Sequence, residues 1–262
     1  MCESSSSLAG LRRTVARIAA SGAPADSRAG GWLTSGHAGF DAALGGGLMV
    51  GRCHEFFAAD PLDAASAAGF AALLALRCGG AAPLLWLRTA DSAQREGQLY
   101  APGLAELGGD PNRLLLVETD DAKALLAAAN DAVRCAGSAA VVVESRGRLP
   151  ALDLTAGRRL ALGARDAGTI LLLLRIAAAP EPSAAETRWQ VTAAPSRELE
   201  ARAPGAPAFD LELLRWRAGP AGARWRLEWN RDEQAFREPA LSGAFLPLVA
   251  RRALEPHGAA AA

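Results

Sequence analysis

Phe40-Asp41-Ala42-Ala43-Leu44-Gly45-Gly46-Gly47-Leu48-Met49-Val50-Gly51-Arg52-Cys53-His54-Glu55-Phe56-Phe57-Ala58-Ala59-Asp60-Pro61-Leu62-Asp63-Ala64-Ala65-Ser66 is the stretch on which the fold turns. A glycine-rich turn and Gly51-Arg52 lead into an apolar run at Cys53 to Ala58, which reads as a strand. A short turn follows, then an alanine- and leucine-rich helix from Asp63 to Arg77. A strand, a turn and a helix at the start of an α/β domain invite the search for a phosphate loop. Such a loop needs G-x-x-x-x-G-K-[ST], because backbone N–H groups wrap the phosphates, lysine reaches the terminal ones and the hydroxyl holds Mg²⁺. The stretch from Ala58 to Ser66 has no glycine and no lysine, and it carries Asp60 and Asp63 where a polyphosphate would sit.

Downstream, short apolar runs alternate with helical stretches. Strands are expected at Leu84 to Leu87, Leu114 to Val117, Ala139 to Val143 and Thr169 to Ile176, and helices at Asp121 to Cys135 and Thr155 to Ala167. Gly97 to Leu107 reads as a short helix or turn region. Unbroken apolar strands between helices imply a mostly parallel central sheet covered by helices on both faces. After Ala177 the pattern changes. Ala177 to Ala185 reads as a mobile Pro/Ala-rich loop, and Trp189 to Ala193 as a strand. Phe209, Leu211 and Leu213 alternate with acids, and Trp225, Leu227 and Trp229 alternate with Arg226 and Glu228. With the Ala218 to Gly222 turn between them, they read as an antiparallel C-terminal hairpin with one buried aromatic face. Residues 231 to 262 are weakly patterned.

Upstream, Ser4 to Ala20 reads as a capped amphipathic helix with Leu8, Leu11, Val15 and Ile18 on one face and Arg12, Arg13 and Arg17 on another. Ser21 to Gly31 reads as a linker. The organisation expected is an arm over 1–30, a core over 31–200, and a hairpin extending the sheet plus a tail over 201–262.

The chain has 262 residues, 50% of them hydrophobic and 21% charged, which supports a buried core and argues against wholesale disorder. Basic and acidic residues number 28 each, so any nucleic-acid contact must be local. Lys123 is the sole lysine. Cys2, Cys53, Cys78 and Cys135 stand singly, and His37, His54 and His257 are scattered, so no metal site is expected and the thiols read as reduced. The N-terminus lacks the pattern of a secretory signal, and the apolar runs are too short to span a bilayer. A cytoplasmic protein with no membrane contact is the expectation.

The opening stretch resembles the lead-in to the nucleotide-binding core of RecA-type recombinases, and the order of strands and helices fits that fold from about residue 31 to 195. Several elements of a RecA ATPase are replaced. Besides the altered loop, the run Ala139 to Val143 ends in Glu144-Ser145 rather than aspartate. Arg88-Thr89-Ala90-Asp91 stands where the catalytic glutamate would be, and Arg175-Ile176 where the polar sensor pair would be. This RecA-like scaffold with a degenerate loop is similar to the ImuA family. Leu99-Tyr100-Ala101-Pro102-Gly103-Leu104, Asp110-Pro111-Asn112-Arg113-Leu114-Leu115 and Trp225-Arg226-Leu227-Glu228-Trp229-Asn230 carry that resemblance over roughly residues 8 to 240.

The resemblance implies a non-catalytic accessory factor of SOS-induced translesion synthesis with no cofactor. Its expected partners are an ImuB-like Y-family polymerase homologue and an error-prone DnaE-type polymerase, with RecA, weak DNA contact and self-association as further candidates. A residual ATPase using arginine in place of lysine, and a SulA-like division inhibitor, are the alternatives. Residues 53 to 133 hold five basic and eleven acidic residues, whereas 134 to 176 hold seven basic and three acidic. Arg146, Arg148, Arg158 and Arg159 are therefore candidate contacts to DNA or an acidic partner, against an ordinary solvated face. The arm residues Leu8, Leu11, Val15 and Ile18 are candidates for docking or self-association, against packing on their own domain. The Trp225/Leu227/Trp229 stripe reads as core, with partner docking as the alternative.

Overall fold

The structure is a computed structural model and describes residues 31–239 apart from 136, 201, 202 and 204. The arm over 1–30, with Leu8, Leu11, Val15 and Ile18, lies outside the described residues.

The chain enters through β1 (Trp32–Leu33), α1 (Ala38–Ala43) and β2 (Leu48–Met49), with β1 and β2 paired as a small antiparallel ribbon. Gly45, Gly46 and Gly47 all have positive φ here, and a Cβ on Gly47 would lie 2.4 Å from the Leu33 carbonyl oxygen. Only glycine fits that close approach. The glycine triplet therefore shapes the ribbon that precedes the main sheet.

The main sheet begins with β3 (Cys53–Ala58), followed by a 3₁₀ turn (Pro61–Asp63) and α2 (Ala64–Leu76). Next come β4 (Leu84–Thr89), α3 (Ala90–Glu96), α4 (Ala101–Glu106), β5 (Leu114–Thr119), α5 (Ala122–Val133), β6 (Ala140–Arg146), α6 (Leu154–Ala167) and β7 (Ile170–Ile176). The chain finishes with β8 (Thr187–Ala193), β9 (Ala208–Trp216), β10 (Arg224–Asn230) and β11 (Ala235–Arg237). The sheet has nine strands in the order β11-β10-β9-β8-β3-β7-β6-β4-β5. From β8 to β5 every pairing is parallel, and β8, β9, β10 and β11 pair antiparallel. The C-terminal hairpin thus continues the parallel sheet.

Period-two side-chain alternation divides the core into two layers. On one face, Phe56, Leu172, Leu174, Trp86 and Val142 pack under α2, which is apolar on nearly every side and accordingly buried. Phe70 on α2 meets the rings of Phe56, Phe209 and Phe236, with centroids 5.0–5.6 Å apart. Trp189 stacks on Phe40, and Trp225 closes on both. The Trp225/Leu227/Trp229 stripe is core: Leu227 and Trp229 are buried, and Trp225 packs against the same cluster. On the other face, Leu85, Val141, Val143, Leu171 and Leu173 pack against α5 and α6. Side chains before the helices accept amide hydrogens: Thr89 for α3, Asp121 for α5 and Asp153 for α6.

The structure differs from the sequence reading in places. Residues 90–96, whose polar sequence hides any periodicity, form α3, which Thr89 caps. Gly97 to Leu107 divides into an extended stretch and α4. Residues 235–237 form β11 because Phe236 has an aromatic pocket to fill, a long-range cause invisible locally. The loop 177–185 is not a regular element, yet Ser183 donates to Glu55 and Glu181 pairs with Arg148. No described helix is long and apolar enough to cross a membrane.

Candidate functional site

The carboxyl ends of parallel strands, where a loop meets a helix N-terminus, are the usual ligand site of such sheets. Here β3 ends at Ala58 and the chain turns through Asp60 into the 3₁₀ turn. Asp60 accepts the amide hydrogen of Leu62 at 2.9 Å. Asp63, at the head of α2, leaves that helix uncapped and accepts the amide hydrogen of Ala193 at the end of β8, at 2.8 Å. The turn is thus stapled to the neighbouring strand by a carboxylate. A polyphosphate placed here would meet two negative side chains and no lysine or arginine from the turn itself. The residues present do not fit a nucleoside triphosphate. Arg77, at the far end of α2, is held by the carbonyl and hydroxyl of Thr34 and by the Gln234 carbonyl, and Arg52 directs its Nε to the Met49 sulfur.

Glu144, on β6, is buried and accepts hydrogen bonds from the Trp86 indole at 2.8 Å and the Ser92 hydroxyl at 2.6 Å. Arg88, on β4, is buried too. It donates to Glu118 through Nε and Nη2, to the Gly97 carbonyl through Nη1 and to Gln98 through Nη2. Both groups at these strand ends are engaged within the fold.

On the opposite face, Glu55 of β3 accepts from Arg188 of β8 and from Ser183, each at 2.7 Å. Arg188 also lies 5.7 Å over the Phe57 ring. Arg175, on β7, is buried, and its Nε has no hydrogen-bond partner. Burial lowers the Arg175 pKa, while Glu55 and Glu181 oppose that shift. Burial raises the neighbouring Cys53 thiol well above its ordinary value, with Glu55 adding to the effect. Sequence reading missed this cluster as a unit. Its signal was a charge inside an otherwise apolar strand, which must find a partner when buried.

The candidate arginines do not share one surface. Arg146 pairs with Glu96 on the α2 side of the sheet. Arg148 is exposed and pairs with Glu181 at 3.1 Å. Arg158 and Arg159 are exposed on α6, the helix of the other face. Arg158 lines a depression of about 240 Å³ with Arg52, Arg165, Arg217 and Glu186, a concentration of guanidinium groups that sequence spacing does not reveal.

The chain is 34% identical over 203 residues to Protein ImuA of Caulobacter vibrioides, in two strains, covering 71% of this chain and 72% of that protein. The chain belongs to the ImuA family. No family model matches it. Among solved structures, this ImuA-family chain is similar to the RadB recombinase, with a TM-score of 0.54 at 16% identity, covering 79% of this chain and all of that one. At that identity the likeness establishes the fold: the ImuA-family body is RecA-like, a mostly parallel sheet with antiparallel strands at its C-terminal side.

Proposed function

We propose that this ImuA-family chain is a non-catalytic accessory protein of SOS-induced translesion DNA synthesis in the cytoplasm. It acts by binding an ImuB-like Y-family polymerase homologue and, alongside it, an error-prone DnaE-type polymerase. RecA, DNA and a second copy of the chain are further contacts in this reading. Arg148, Arg158 and Arg159, which project from the body, and the arm residues Leu8, Leu11, Val15 and Ile18 are the proposed contact residues; Arg146 contributes from its pair with Glu96.

The observation that carries the reading is the turn after β3. It keeps the recombinase position but is built from Asp60 and Asp63, with Asp63 bonded to β8. A phosphate-binding turn presents free amides and positive charge; this one presents carboxylates. The body that remains offers surfaces rather than a reaction centre. Membership of the ImuA family supports the pathway part of this reading.

Calorimetric titration with ATP and Mg²⁺ tests the absence of a nucleotide site. The expected result is no saturable heat. Micromolar affinity that disappears when residues 60–66 are changed would overturn the non-catalytic reading.

A further inference from the structure

Beside α2, reaching Ala64 and Ala65 just after the turn that follows β3, lies a cavity of about 370 Å³. That volume falls at the small end of the range of about 300–1,000 Å³ typical of small-molecule sites. One wall is the small-residue face of α2, including Ala68, Gly69 and Ala72, and the facing wall carries Leu99, Leu104 and Leu107. Alanines against leucines leave the space: larger side chains on α2 would close it. Tyr100, 71% exposed, stands at the boundary with solvent.

The walls are apolar, but one end is charged, with Arg88, Glu96 and Glu144 all lining it. Two of these are balanced. Arg88 is drawn to Glu118 on β5, and Glu96 is paired with Arg146. Glu144 is 2% exposed, and its hydrogen bonds come from two neutral donors, Trp86 and Ser92. Among the described residues no cation lies within ion-pair distance of Glu144. An apolar cavity ending in a buried carboxylate without a cationic partner selects one kind of guest. That guest has an apolar body to cover the alanine and leucine walls and one positive head to meet the carboxylate, since a buried charge is stabilised by pairing.

We propose that this cavity is a binding site for a small amphipathic cation, an apolar amine, with Glu144 receiving its ammonium group. The site requires no phosphate, and its guest is a different ligand from the polymerase partners proposed above, although Glu96 links its charged end to Arg146.

Binding of benzylamine and cyclohexylamine is compared with that of benzyl alcohol and toluene, by ligand-observed NMR on the full chain at pH 7. The amines are expected to bind about tenfold or more tightly than the neutral analogues, the difference made by one charge-assisted hydrogen bond. Glu144→Gln is expected to abolish that preference. The glutamine carbonyl still accepts from Trp86, and its amide donates to the Ser92 hydroxyl, so the variant keeps its internal bonds and folds. Ala68→Leu, which fills the cavity, is expected to remove binding of every probe, with thermal melting confirming that the variant is folded. Equal affinity for amines and neutral analogues, an amine preference that survives Glu144→Gln, or no binding by either amine would each overturn the proposal.

Discussion

His54 lies wholly buried between Met49 and Thr187, and burial pushes its pKa from the ordinary 6.5 down to about 4. The hydrogen bonds fix its form. The Trp189 indole donates to the Thr187 hydroxyl, leaving that hydroxyl to donate to Nδ1 of His54, while Nε2–H donates to the Met49 carbonyl. A neutral imidazole satisfies the whole chain. The consequence for stability has a definite sign. Between pH 6.5 and 4 the unfolded chain binds a proton that the folded chain refuses, so stability is full above that window and falls as pH drops through it. The expected loss is about 1.4 kcal/mol per pH unit, roughly 3 kcal/mol in all. Urea denaturation at a series of pH values checks this. His54→Gln, which retains one donor and one acceptor, should flatten the profile in that window.

Other charges of the core are likewise held by hydrogen bonds within the fold. Glu55 holds Arg188 and Ser183, and Glu144 holds Trp86 and Ser92. The sequence reading ends the strand at Glu144, whereas β6 continues to Arg146 because Ser145 and Arg146 still pair with β7; it places Arg88 and Arg175 where a catalytic recombinase carries other groups. It does not foresee the partner of Arg88, because Glu118 lies on β5, a strand distant in the chain.

At the scale of elements, legibility followed periodicity. Ile170–Ile176 and Ala140–Arg146 are apolar through most of their length because both sheet faces are covered, and such runs declare themselves. The hairpin of β9 and β10 was equally visible from its alternating aromatic and charged residues. By contrast, β1, β2 and β11 have only two or three residues each, too few to carry a period. They exist because tertiary contacts pay for them. Phe236 of β11 joins the rings of Phe70, Phe209 and Trp229, so this short strand links α2 to the hairpin. Phe236→Ala is expected to cost about 3–5 kcal/mol, the range for emptying a buried aromatic site. The midpoint of chemical denaturation reads that loss, and a change below 1 kcal/mol would show that β11 is peripheral.

For the whole molecule, the near-absence of lysine gains meaning only in place. Lys123 lies on α5, remote from the turn after β3, and that turn is closed by carboxylates. A zero net charge likewise conceals a local excess. Arg158 stands with Arg52, Arg165 and Arg217 around one depression, whereas Arg146 belongs to the opposite side of the sheet. The basic segment 134–176 therefore spans two surfaces, one on each side of the sheet. In the proposed function, a recombinase-shaped body works through its contacts rather than through a bound nucleotide. The most direct test is sedimentation analysis of the full chain mixed with the ImuB-like Y-family polymerase homologue, with and without ATP and Mg²⁺. A stable complex of unchanged affinity is expected in both conditions. No complex, or a complex that forms only when ATP is present, would contradict it.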